Sequence, residues 1–88
     1  MENQSNIIEN ISNSFTITNK IEAYLQATDS FEQQASKFSN NSSFMCRKSA
    51  EEVSIRFSQA KSADCEYMVY THCFAAEVWL SKAITNAL

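Results

Sequence analysis

The feature that most constrains this chain is an absence: its 88 residues include no glycine and no proline. At average usages of roughly 7% and 5%, about ten would be expected. Glycine supplies the positive φ angles of tight turns and many helix ends, and proline interrupts helices. A chain lacking both is expected to form long helices joined by loosely coded connections. Phosphate-binding loops, dinucleotide fingerprints and nucleophile elbows all use glycine where backbone closely approaches a ligand. Those chemistries are therefore not expected, and neither are an enzyme activity, a cofactor or a small-molecule substrate.

A chain of this length makes one domain, residues 1–88, and buries only about 60 to 70% of its unfolded surface. Hydrophobic residues make up 44% and aromatics 11%, which fits a globular chain. The longest apolar runs, Cys73-Phe74-Ala75-Ala76 and Val78-Trp79-Leu80, fall far short of the roughly 20 residues of a membrane span. No membrane partner is expected. With no charged-then-apolar opening segment and three cysteines, Cys46, Cys65 and Cys73, a reducing cytoplasmic location is expected.

Polar punctuation takes the place of glycine. Ser39-Asn40-Asn41-Ser42-Ser43 are small polar residues that bond their own backbone, and the main turn is expected at 39–43. Before it, Ile17, Ile21, Tyr24, Leu25, Thr28, Phe31, Ala35 and Phe38 recur at helical steps. They predict a helix over 19–38, with Asn19 and Glu22 at capping-box spacing. Residues 1–18 read as a short N-terminal helix or arm. It would begin at Asn6 and Glu9, and would carry Ile7, Ile8, Ile11 and Phe15 as cover for the rest. Its end, Ser14 to Thr18, alternates like a strand.

Residues 44–87 predict one long or two consecutive helices. Ser49 and Glu52 form a second candidate capping box ahead of Val53, Phe57 and Ala60, although Phe44, Met45 and Cys46 also allow a start at Ser43. Glu51 and Glu52 would then favour the N-terminal end of the helix dipole. Residues 53–58 alternate with period two, leaving a strand as the rival reading. From about Ser62 to Ala87, helical geometry places Cys65, Met68, Val69, His72, Cys73, Ala76, Trp79, Leu80 and Ala83 on one broad face. Tyr67, Tyr70, Phe74 and Val78 lie on nearly the opposite side. A helix with two apolar faces must bury both or expose an aromatic strip.

The expected fold is therefore all-α: a helical hairpin or a small three- to four-helix bundle, completed by dimerisation or by a partner. His72 reads as a core histidine with one satisfied nitrogen. Zinc is not expected, because Cys65 and His72 would stand about 10.5 Å apart along a helix and no strong ligand occupies the neighbouring turns of His72. His72 and Cys73 point about 100° apart, too far for a nucleophile and its base. The formal net charge is −3, with acidic excess in the first half.

The functional expectation is a small cytoplasmic protein–protein interaction module: an adaptor, an inhibitor or a secretion-type chaperone. It would bind another protein or a second copy of itself through Tyr67, Tyr70, Phe74 and Val78, steered by Arg47, Lys48 and Arg56. The alternative is a dimeric nucleic-acid-binding regulator that uses Arg47, Lys48, Arg56 and Lys61.

Overall fold

The structure is a computed structural model that describes residues 17–88. Of the expected N-terminal arm, residues 1–16, with Ile7, Ile8, Ile11 and Phe15, lie outside the described residues, and residues 17 and 18 belong to the first helix. Among the described residues four helices follow in order: α1, whose described part covers residues 17–26, α2 (Thr28–Ser36), α3 (Phe44–Lys61) and α4 (Glu66–Thr85). No strand occurs among the described residues, and residues 53–58 lie inside α3.

Helix α1 and helix α2 form one bent rod. At the bend, the Ala27 N–H is shared between the carbonyls of Ala23 and Tyr24, both at 3.1 Å. The Thr28 hydroxyl also donates to the Tyr24 carbonyl at 3.2 Å, a side-chain competition that bends helices. The predicted stripe continues across the bend, with Ile21, Thr28 and Ala35 buried and Ile17, Tyr24, Phe31 and Phe38 half-buried. Leu25 is the exception and is exposed. Residues 17–20 are already helical, so Asn19 does not cap this rod as its spacing suggested.

The missing glycines are accommodated by how the helices end. No described residue has a positive φ. Each C-terminus tightens instead into an i to i−3 bond: Phe38 N–H to Ala35 O at 3.0 Å, Ala63 N–H to Ala60 O at 3.3 Å, and Ala87 N–H to Ile84 O at 3.3 Å. These bonds satisfy orphan carbonyls with negative φ throughout. Between α2 and α3, Ser39 and Asn41 repeat the same closure.

Helix α3 starts at Ser43, whose side chain accepts from the Cys46 N–H at 3.2 Å as an N-cap. Ser49 is not a cap but a fully buried residue within α3. Glu51 and Glu52 consequently sit in mid-helix, where Lys48 and Arg56 face them. The last helix begins at Glu66, after an extended Cys65.

Helices α3 and α4 make the principal helix pair, and α2 packs across both. Their shared core consists largely of small side chains. Ala35, Ala50, Ala60, Ala76 and Ala83 are buried there with Cys46 and Cys73, and Phe57 is the largest fully buried side chain among the described residues. Small residues let the helix axes approach, but each removes little apolar area from water. Half-buried Tyr24, Phe31, Phe38, Val69 and Trp79 complete the packing around this cluster. No described helix is long and apolar enough to cross a membrane.

Candidate partner-binding groove

Helix α4 buries one side and leaves much of the other open. Cys73, Ala76, Leu80 and Ala83 are buried, and Val69, His72 and Trp79 are half-buried. Met68 and Cys65, expected on the same inner face, are exposed. Met68 stands in the first turn of α4, and Cys65 is its extended N-cap, off the helical path. On the outer side, Tyr67 is 68% exposed, Phe74 47% and Val78 37%. Tyr70 is half-buried because Tyr24 reaches across from α1, with ring centroids 6.2 Å apart.

A groove of about 480 Å³ opens between the bent rod and α4. Lys20, Ala23, Tyr24, Ala27 and Phe31 line one side, and Tyr70, Phe74 and Glu77 the other. Its rings form a ladder from the core to the surface. Phe57 lies 5.6 Å from Phe31, and successive 6.2 Å steps run from Phe31 to Tyr24, Tyr70 and Phe74. Tilted and offset rings at these separations interact favourably. Buried Phe57 therefore anchors a row whose last member, Phe74, faces solvent. Ala23 and Ala27 keep the opposite wall low, because a methyl group covers neither ring.

The two ends of the groove carry opposite charges. The Lys20 ammonium lies 5.9 Å from the Tyr70 ring centroid, within cation–π range. At the other end, Glu77 stands beside the Tyr24 hydroxyl. Burial first, and the Glu77 carboxylate second, push the Tyr24 phenol up to about 12, because both disfavour the phenolate. The groove thus offers ring faces, contact area and one charge of each sign.

The structure does not bring the proposed steering charges to this groove. Arg47 and Lys48 line a second groove of about 400 Å³ between α2 and α3, together with Glu32 and Glu51. Arg47 donates to the Asn41 carbonyl at 2.7 Å and lies over the Phe44 ring at 5.8 Å. Lys48 stands 3.9 Å from both Glu51 and Glu52, and Arg56 stands 3.8 Å from Glu52. Exposed pairs of this kind add little stability, but they cancel much of the field that a basic patch would need.

Sequence reasoning placed Tyr24 and Phe31 in the core stripe, saw Glu77 only as a flank of the aromatic strip, and assigned Lys20, Ala23 and Ala27 no part in a site. The available signal was the pair of alanines at i and i+4 beside an aromatic stripe, which marks a wall too low to close over the rings. His72 departs from expectation as well: it is only half-buried, and its Nδ1 is enclosed without a hydrogen-bond partner among the described residues. Cys46 and Cys73 are buried free thiols and Cys65 is an exposed one. No described group of three or more His, Cys, Asp or Glu side chains is placed to hold a metal ion. No protein-family model, curated protein or solved structure matches the chain.

Proposed function

We propose that this chain is a helical protein–protein interaction module, an adaptor, inhibitor or chaperone, whose working surface is the aromatic groove between the bent rod and α4. The observation that carries this reading is the ring ladder, which runs from buried Phe57 to Phe74 at 47% exposure. An aromatic row held rigid from beneath loses little side-chain freedom when a partner covers it, and aromatic anchors of this kind dominate interface energetics. A helix presenting an apolar edge is the fitting occupant, since the groove runs along two helices and is open on its outer side. Three free thiols suit action in a reducing compartment such as the cytoplasm.

The nucleic-acid reading has weaker support. Of its candidate cations, Lys48 and Arg56 face carboxylates on their own helix, and Arg47 is committed to the backbone of the α2–α3 connection.

Affinity capture from the source cell, comparing the wild-type chain with Tyr67→Ala and Phe74→Ala, tests the proposal. Both side chains are exposed, so helicity by circular dichroism should not change. A partner retained by the wild type and lost from both variants supports the groove. A partner retained equally by all three proteins would place the binding surface elsewhere.

A further inference from the structure

The occupant of the groove can be identified more closely from its charge pattern, an inference that rests on the interaction reading above. Lys20 lies over the Tyr70 ring, and Glu77 lies about 10.5 Å further along α4 by helical rise. Both side chains are exposed. Between them stand the rings of Tyr24, Tyr70 and Phe74. The surface is therefore positive at one end, negative at the other and aromatic in the middle.

Such a patch is self-complementary under a twofold axis perpendicular to its length. An isologous interface places the same patch on both subunits and reverses its direction. Reversal sets Lys20 of one copy against Glu77 of the other, twice. The outer stripe of α4 obeys the same operation. Tyr67, Tyr70, Phe74 and Val78 follow three- and four-residue steps, the seam spacing by which helices interlock. Run antiparallel about the middle of that stripe, the central rings of Tyr70 and Phe74 cross their counterparts, and Tyr67 meets Val78. The open grooves of the two copies face each other, and α1 with α4 from both copies makes a four-helix bundle.

We propose that a second copy of this chain occupies the groove, in an antiparallel twofold dimer held by the α4 aromatic stripe and by two reciprocal Lys20–Glu77 pairs. The geometry makes a demand that a groove built for an unrelated protein would not make. In Lys20→Glu, both cross-pairs become acid against acid. In Glu77→Lys, both become base against base. Mixing these two variants in equal amounts restores an attractive partner at every position, but only in the mixed dimer.

Light scattering and sedimentation across a concentration series provide the test, with circular dichroism confirming that helicity is unchanged. The wild-type chain is expected at twice the chain mass. Either single variant should raise the dissociation constant by about tenfold or more, since like charges set against each other across an interface are costly. The equimolar mixture and the Lys20→Glu/Glu77→Lys double variant should both recover association. A wild-type chain that stays monomeric at all concentrations overturns the proposal, while leaving the groove open to a different protein. So does a dimer indifferent to both substitutions, or single variants that weaken without recovery on mixing. Loss of helicity in a single variant would assign the pair to the fold rather than the interface, and would overturn it too. Failure of the interaction reading is a separate result: there, Tyr67→Ala and Phe74→Ala change no association of any kind.

Discussion

The side-chain amide of Asn41 pairs with both backbone groups of Leu88. Its Oδ1 accepts from the Leu88 N–H at 3.1 Å, and its Nδ2 donates to the Leu88 carbonyl at 3.2 Å. The same Oδ1 accepts from the Ser43 N–H at 2.9 Å, and the Asn41 carbonyl accepts from Arg47. One residue of the α2–α3 connection thus organises the start of α3 and tethers the chain beyond α4. Asn41→Ala should destabilise the fold by about 1 kcal/mol, the scale of exposed neutral hydrogen bonds. Faster hydrogen exchange at residues 84–88, with the α3 interior unaffected, would confirm the tether. Unchanged exchange there would refute it.

Phe57 carries a larger share of the stability. It is fully buried, it contacts Phe31, and the surrounding alanines and cysteines are too small to collapse into a vacated space. Phe57→Ala should cost about 3–5 kcal/mol, a large part of the roughly 5–15 kcal/mol that holds a domain together. Urea unfolding measures this. A loss below about 1 kcal/mol would mean that the aromatic ladder is not anchored in the core.

Ser49 predicts a gain. Its side chain is fully buried, and its hydroxyl has no hydrogen-bond partner among the described residues. Replacing it with alanine removes an unsatisfied polar group and improves helix propensity. Ser49→Ala should therefore stabilise the protein by about 0.5–1 kcal/mol. A destabilised variant would show that the hydroxyl is bonded in solution.

Tyr24 gives the groove a spectroscopic signature. Its phenol ionises at about 12 rather than 10, through burial first and Glu77 second. The folded state then holds this proton more tightly than the unfolded chain does. Stability from this group is complete below pH 10 and is lost as pH rises from 10 towards 12. Absorbance titration of the phenolate band should show this late ionisation. Glu77→Gln should move it down part of the way, because burial remains. A titration identical in the variant would separate Glu77 from Tyr24.

Cys65 is accessible while Cys46 and Cys73 are buried, and burial pushes the Cys73 thiol up. A thiol reagent should modify one cysteine rapidly in the native protein and the other two only on unfolding. Cys65 also occupies the N-cap of α4 without making a capping bond. Cys65→Ser should supply that acceptor and raise stability by about 0.5–1 kcal/mol. Two fast thiols in the native state would contradict the packing of α3 against α4.

Local chemistry determined a good deal by itself. Without glycine or proline, the chain was bound to helices whose ends keep negative φ, and the Phe38, Ala63 and Ala87 closures show how that is achieved. Periodicity identified the inward stripe of Ile21, Tyr24, Thr28, Phe31, Ala35 and Phe38, and the small polar run before Phe44 marked a connection between helices. Period says how residues are arranged around one helix axis. It does not say where the neighbouring axes lie.

Those axes decided the rest. Ser43 rather than Ser49 caps α3, because the first turns of that helix pack into the core and carry Ser49 inside. Cys65 and Met68 fall on the inner arc of α4 by angle yet are exposed: Cys65 is the extended N-cap, off the helical path, and Met68 stands in the first turn. Tyr70 became half-buried while Tyr67 and Phe74 stayed open, because Tyr24 reaches across at that one height and Ala23 and Ala27 leave the wall beside it low. The aromatic strip was legible in the sequence. Its partition into floor, rim and charged ends came from the placement of the bent rod against α4, a long-range packing choice that no local pattern encodes.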